Sequence, residues 1–348
     1  MTSIRVAIAT PLPAELRHLI TDVDPGVELL VDDDLLPPMR HPGDHDGDPG
    51  FHRTPQQQSA FDALLAKADV LYGIPDTMPA ALGPAVRANP HLRWVHTMAA
   101  GGGAQVKAAG LTEEELDRVV FTTSAGVHGG TLAEFCLFGV LAGAKDLFGL
   151  QEQQSAKQWP PRRPMQQVAE QTVLVVGLGG IGVETARLLK AFGATVLGVK
   201  RSVEPVQYVD EVHGTDQLAA LAARADAIVV TLPGTDATTG LIDRTVLQAA
   251  KPGVVIVNVG RGTVIDEDAL IGALRSGQVG SAYLDVFAVE PLPQDSPLWE
   301  LPNVLVSPHT AALNPAEDRR IAELFADNLR RFLDGAPLRN VMDTKDFY

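Results

Sequence analysis

The chain has 348 residues, 45% of them hydrophobic, which is enough for a large core and points to two domains. A net charge of −15 argues against a general nucleic-acid or anionic-membrane binder, and a single cysteine, Cys136, excludes an internal disulfide. No start of the chain reads as a secretory signal and no apolar run reaches membrane-spanning length, so a cytoplasmic location is expected.

In chain order, residues 4–9 alternate as a strand, 11–20 read as a helix and 27–31 as a second strand. Strands alternating with helices suggest a small parallel α/β unit. Residues 37–58 then turn rich in Pro, Gly and Asp, with His41, His45 and His52. Those residue types are compatible with a metal, but the irregular spacing favours a solvated, mobile surface loop. A helix over 59–67 and a strand over 70–74 follow, then a strand over 92–97 that runs into Met98, Ala99, Ala100, Gly101, Gly102 and Gly103. A triple glycine after a strand can form a backbone nest for a carboxylate or a flexible turn, and the residues alone leave both open. A further strand over 119–123 leads through His128, read as structural at a helix entry, into a long apolar helix over 132–150. Cys136 lies in that apolar pattern and reads as core rather than nucleophile.

The stretch 172–201 organises the rest. A buried-strand run ends in Gly177, Leu178, Gly179, Gly180, Ile181 and Gly182, a G-x-G-x-x-G that opens a helix closed by Gly193. Between a strand and a helix, inside a unit of about 30 residues, this pattern is specific for a dinucleotide. The first glycine permits the turn, the second lets backbone approach a pyrophosphate, and the third lets helix pack on strand. A second strand over 195–199 ends at Lys200, Arg201 and Ser202, where NAD-binding chains normally place an acid. Two cations and a hydroxyl suit a 2′-phosphate, so NADP(H) is expected over NAD(H), with NAD(H) still admitted.

Strands over 227–232, 254–259, 281–286 and 303–307 follow, with helices over 216–224, 246–251 and 268–276 between them. In open parallel sheets ligands bind beyond the carboxyl ends of strands. Arg261, Asp285 and His309 each follow such an end, and Glu290 lies close behind Asp285. Reduction of a carbonyl by hydride needs a proton donor, which His can be, and a cation to hold and polarise an oxo acid, which Arg can be. A carboxylate beside the His favours its imidazolium form.

These residues resemble the D-isomer-specific 2-hydroxyacid dehydrogenases, in the branch of the glyoxylate/hydroxypyruvate reductases. The resemblance spans roughly residues 92–342 and rests on GLGGIG at 177–182, VNVGRGTVIDEDAL at 257–270, LDVFAVEPLP at 284–293 and LWELPNVLVSPHTAA at 298–312. It implies Arg261, Glu290 and His309 as the catalytic set, with Arg261 and His309 also binding substrate. It implies that Asp285 holds the nicotinamide carboxamide and that the 98–103 loop, through Ala100, Gly101 and Gly102, binds the substrate carboxylate. Leu232, Pro233 and Thr238 of a Pro-containing loop, Val259 and Gly260 would join the glycine turn around the cofactor. The implied fold is a Rossmann-type doubly wound parallel sheet, residues 125–310, inserted into a smaller flavodoxin-like α/β domain, residues 1–124 and 311–348, that binds substrate. An amphipathic helix over 315–334 would cross back. A homodimer paired through the helix after His128 is implied, although that helix also reads as a core crossover.

Lys200 moves the chain away from NAD-dependent members, and Glu290 disfavours the formate dehydrogenase branch, which carries Gln there. The regulatory domain of many phosphoglycerate dehydrogenases is expected to be absent, and the 37–58 loop matches no family feature. The expectation is therefore NADPH-dependent reduction of a small 2-oxo acid to the D-2-hydroxy acid. The alternative is a non-enzymatic, dinucleotide-sensing interaction protein like the corepressors of this fold.

Overall fold

The computed structural model describes residues 3–345 and 347, which divide into two compact units: Met1–His128 with Leu313–Tyr348, and Gly129–Ala312.

In the first unit five strands, β1 (Ile4–Ile8), β2 (Val27–Leu30), β3 (Val70–Tyr72), β4 (Trp94–Thr97) and β5 (Val120–Thr123), pair in parallel in the order β2-β1-β3-β4-β5. This is the flavodoxin-like doubly wound order, whose strand direction of travel reverses between β1 and β3. The central strands β1, β3 and β4 are almost wholly buried, as expected where helices cover both faces of a parallel sheet, although β4 carries His96 and Thr97. The helix Glu317–Leu333 presents Ile321, Phe325 and Leu329 on one face, and all three are fully buried. Phe325 stacks on Trp94 of β4 with ring centroids 4.7 Å apart.

The second unit has seven parallel strands: β6 (Thr172–Val176), β7 (Thr195–Val199), β8 (Glu211–His213), β9 (Ala227–Val230), β10 (Val254–Asn258), β11 (Val279–Leu284) and β12 (Val304–Val306). Their order is β12-β11-β10-β9-β6-β7-β8, so the reversal falls between β6 and β9. The period-two geometry of strands sorts the side chains. Leu174, Val176, Ile228, Val230 and Ile256 join one core cluster, while Val173, Val175, Val229 and Val257 join the other, on the opposite face.

Several expectations need correction. The long helix is two helices, Gly129–Ala144 and Leu147–Ser155, broken where Asp146 takes φ +51° and its carboxylate accepts the Gly149 N–H. The first of them lies directly on the sheet. A Cβ at Gly139 would meet Val257 at 2.6 Å, and one at Gly143 would meet Val255 at 2.4 Å. The helix over 11–20 is only a 3-10 turn, Ala14–Leu16, and one helical turn, His18–Thr21. β8 and the helices Pro79–Ala88, Gly103–Ala108 and Glu113–Arg118 are additional. The 37–58 loop is not simply solvated: Asp44 is buried and bonded to Arg40 at 2.7 Å, and the Gly43 N–H donates at 2.9 Å to Asp318, 275 residues away. Its end is helical, Pro55–Leu65, started by a capping box between Thr54 and Gln57. Among the described residues, no helix is long and apolar enough to cross a membrane.

Candidate active site

The glycine turn follows β6. Gly177 has φ +107°, a region that favours glycine, and a Cβ at Gly182 would lie 1.9 Å from the Gly177 carbonyl oxygen. Both positions therefore exclude side chains. Thr231, just past β9, donates its hydroxyl to that same carbonyl at 2.7 Å and so pins the turn from the neighbouring strand. By contrast, nothing lies within 4 Å of a Cβ at Gly179 or Gly180. The helix Gly180–Ala191 begins there without a side-chain cap, and Ile181 is half-buried. Free N–H groups at a helix start carry partial positive charge, which fits the pyrophosphate of a nicotinamide dinucleotide.

At the end of β7, Lys200 is half-buried while Arg201 and Ser202 are exposed. The Lys200 N–H bonds the His213 carbonyl of β8 at 3.0 Å, so this edge strand fixes where the basic turn begins. Beyond β9, Leu232 is half-buried and Pro233 exposed. Thr238 donates to the Pro233 carbonyl at 2.6 Å and accepts from the Thr235 N–H at 2.9 Å. Its hydroxyl shapes this loop.

The ends of β9, β10 and β11 stack closely. A Cβ at Gly260 would meet the Leu232 carbonyl oxygen at 2.4 Å, and one at Gly262 would meet the Phe287 backbone at 1.8 Å. The turn carrying buried Val259, Gly260 and exposed Arg261 is thereby wedged between the two neighbouring loops. Asn258, fully buried, locks it by accepting from the Gly260 N–H at 3.0 Å and donating to the Arg261 carbonyl at 3.1 Å. Arg261 itself bonds the Gly260 carbonyl at 2.8 Å.

Glu290 uses both oxygens. One accepts the Phe287 N–H at 2.9 Å and the other meets His309 Nδ1 at 2.7 Å. His309 follows β12 with φ +53° and remains half open to solvent. Asp285 is buried, and its Oδ1 accepts from the Thr310 and Ala311 N–H groups at 2.9 and 3.0 Å and from the Ser307 hydroxyl. The structure therefore joins Glu290 to His309 directly and brings Arg261 to the same loop stack. It also gives Asp285 a role in holding the His309 loop that sequence reasoning missed. Asn258 and Ser307 were missed too, although each is a polar residue at or just past a strand end, which is a readable signal.

Cys136 is fully buried, and burial pushes its thiol up to about 12, which fits a core residue.

In the first unit, Ala100 is half-buried, Gly101 is exposed and Gly102 is buried. A Cβ at Gly102 would lie 2.0 Å from the Thr97 hydroxyl, so the turn after β4 requires glycine there. The helix Gly103–Ala108 begins immediately after it. His128, directly before the helix Gly129–Ala144, bonds Glu317 through its Nε2 at 2.9 Å. His45 of the 37–58 loop approaches the same carboxylate at 3.5 Å and Asp318 at 4.0 Å. Burial alone raises Glu317, but the hydrogen bonds from His128 and His45 outweigh it and hold the carboxyl at about 2. Burial raises the adjacent Asp318, which has only the Gly43 N–H and His45 against it. Among the described residues, no group of three His, Cys, Asp or Glu is placed to share a metal ion.

Comparison with known proteins bears on this geometry. Residues 137–311 match the family model described as D-isomer specific 2-hydroxyacid dehydrogenase, NAD binding domain. An uncharacterized protein from the proB 3′ region of Corynebacterium melassecola is 34% identical over 73% of this chain and 83% of its own length. The D-3-phosphoglycerate dehydrogenase of Mycobacterium leprae is 46% identical over 47% of this chain, a match spanning only 31% of that enzyme. Glyoxylate/hydroxypyruvate reductase B of Serratia proteamaculans is 36% identical over 61% of this chain and 67% of its length. Among solved structures, a D-isomer specific 2-hydroxyacid dehydrogenase from Xanthobacter autotrophicus Py2, in complex with NADPH and MES, aligns over all of both chains with 29% identity and TM-score 0.78. An NADPH-dependent glyoxylate/hydroxypyruvate reductase from Sinorhizobium meliloti, with NADP and sulfate, aligns over 99% of this chain and 100% of its own, with 25% identity and TM-score 0.77.

Proposed function

The chain belongs to the D-isomer specific 2-hydroxyacid dehydrogenase family, oxidoreductases of CH–OH donors that use NAD(P), and from that premise we propose that it reduces a small 2-oxo acid to the D-2-hydroxy acid with NADPH. Glyoxylate and hydroxypyruvate are the first candidate substrates. The observation that carries the reading is the Glu290–His309 pair, 2.7 Å apart and open to solvent at the carboxyl ends of a dinucleotide-binding sheet. His309 is the acid that protonates the nascent alkoxide oxygen, and Glu290 orients its ring and favours the imidazolium. Arg261 pairs with the substrate carboxylate and polarises the adjacent carbonyl. NADPH, when bound at the glycine turn, supplies the hydride. Gly177, Gly179, Gly180, Ile181 and Gly182 cradle its pyrophosphate, and Leu232, Pro233, Thr238, Val259 and Gly260 line its path.

Lys200, Arg201 and Ser202 recognise the 2′-phosphate; two cations at the end of β7, half-buried Lys200 and exposed Arg201, support this, as do NADPH and NADP in the two structures above. The unit built from the two chain ends binds substrate, with Ala100, Gly101 and Gly102 offering backbone N–H groups to its carboxylate. A cytoplasmic homodimer completes the reading. Supporting the dimer, Trp159 is 98% exposed and lies in a segment that also exposes Met165, and large exposed apolar groups mark contact surfaces.

The test is oxidation of NADPH and of NADH with a panel of 2-oxo acids that includes glyoxylate, hydroxypyruvate, pyruvate and a phosphorylated 2-oxo acid. Turnover with a small 2-oxo acid and a lower KM for NADPH than for NADH is expected. No turnover with any member of the panel would overturn the reading.

A further inference from the structure

The loop that carries His309 is shaped by groups on either side of it. The His309 N–H points at two carbonyls, those of Asp285 and Ser307, each at 3.0 Å. Asp285 Oδ1 collects the N–H groups of Thr310 and Ala311 at 2.9 and 3.0 Å, and the Ser307 hydroxyl bonds the same oxygen. One buried carboxylate oxygen therefore ties residue 307, before the histidine, to residues 310 and 311, after it. Between these ties His309 takes φ +53°, a conformation that neighbours must enforce in a residue with a Cβ.

A carboxylate does not choose its own plane, because torsion about an sp³–sp² bond is broad. The Ser307 hydroxyl supplies the missing direction. It approaches from the chain segment before the turn, whereas the two N–H groups come from the segment after it. Removing it leaves the carboxylate free to rock, and the αL turn at His309 slackens with it. Sequence resemblance assigns Asp285 to the cofactor, and no role attaches to Ser307.

We propose that Ser307 is a positioning residue for His309, acting through Asp285, and that its hydroxyl keeps the imidazole in register with Glu290. This rests on the reading of His309 as the proton donor. The loss of one oriented hydrogen bond acts on the rate because a small misplacement of a catalytic group is costly, about a hundredfold for 1 Å.

The experiment compares Ser307→Ala with Ser307→Thr in the full chain. Alanine is expected to lower kcat about tenfold or more. The dissociation constant of NADPH, read from nicotinamide fluorescence, should move less than about threefold, so that kcat and binding separate. Threonine, which keeps the hydroxyl, is expected to restore kcat. A second readout needs no turnover. The His309 ring signal in histidine-labelled protein, identified by its loss in His309→Asn, should be single in wild type and in Ser307→Thr, and broadened or split in Ser307→Ala. An unchanged kcat and ring signal in Ser307→Ala overturns the proposal, as does equal loss in both variants. If wild type turns over no 2-oxo acid, the reductase reading fails, and the ring signals alone decide whether Ser307 orders His309. If Ser307→Ala does not fold, Asp285→Asn weakens the same bonds; a broadened ring signal supports the proposal and a sharp one overturns it.

Discussion

Glu290 and His309 approach to 2.7 Å in one unit, and Glu317 and His128 approach to 2.9 Å in the other. The chemistry of the contact is the same, but the surroundings differ. The Glu290 and His309 side chains are 34% and 48% exposed, whereas Glu317 and His128 are 4% and 10% exposed. An open pair can exchange protons with water and substrate and adds little to stability, because solvent screens it. A buried pair has traded its water for its partner, so breaking it strands a charge. Two contacts of nearly equal length thus suit different work: the open one is placed for the proton transfer proposed above, the buried one for cohesion. Distance alone does not tell them apart; burial does.

The comparison sharpens from both sides. His309→Asn should cost about a thousandfold in kcat, the scale of a lost general acid. Its thermal midpoint should shift by the equivalent of less than about 0.5 kcal/mol, as for other exposed sites. Glu317→Gln should do the reverse, lowering stability in urea unfolding by about 3 kcal/mol. Its folded fraction should keep NADPH affinity.

Lys200→Ala combined with Arg201→Ala tests charge proposed for recognition rather than cohesion. KM for NADPH should rise about tenfold or more, with little change for NADH, since charge-assisted bonds to a phosphate are lost. Equal changes for both cofactors would remove the 2′-phosphate assignment.

The smallest effect belongs to the neighbour of Glu317. The folded carboxyl of Glu317, at about 2, lies below its ordinary 4.5. It therefore contributes stability that is complete above about pH 5 and is lost as pH falls toward 2. Asp318 is raised, so its ionised form weakens the fold at neutral pH, and protonation relieves it. Asp318→Asn should then be neutral or stabilising at pH 7, within about 1 kcal/mol, while Glu317→Gln flattens the acid limb of the stability profile. Unfolding free energies measured between pH 3 and pH 7, a span of about four units around the carboxylate range, check both.

The two pairs also differ in how far the sequence reveals them. His309 could be read because it sits just past a short apolar strand, and sheet topology gathers such ends; Glu290 was reached through Asp285 at the end of β11 and through the family resemblance. β6, the glycine turn and β7 were legible for the same reason: hydrophobic pattern and turn residues lie within about 30 positions. β8 escaped because three residues of mixed polarity at a sheet edge carry no periodic signal. The break at Asp146 escaped because apolar residues resume at Leu147 and Phe148, and neither the φ of +51° at Asp146 nor its side-chain bond to Gly149 has a periodic signal. The 37–58 loop was misread because its anchors, Glu317 and Asp318, lie some 275 residues away and local composition there resembles any solvated loop. His45 looked like a candidate ligand in a polar run, and only the fold supplies its carboxylate partners.

If His309 delivers the proton that completes reduction, its loss must slow the chemical step itself. Single-turnover NADPH oxidation at saturating hydroxypyruvate, in wild type and in His309→Asn matched for bound NADPH, tests it most directly. Oxidation should be fast in wild type and slower by about two to four powers of ten in the variant. Equal rates in the two proteins, with cofactor binding intact in both, would contradict it.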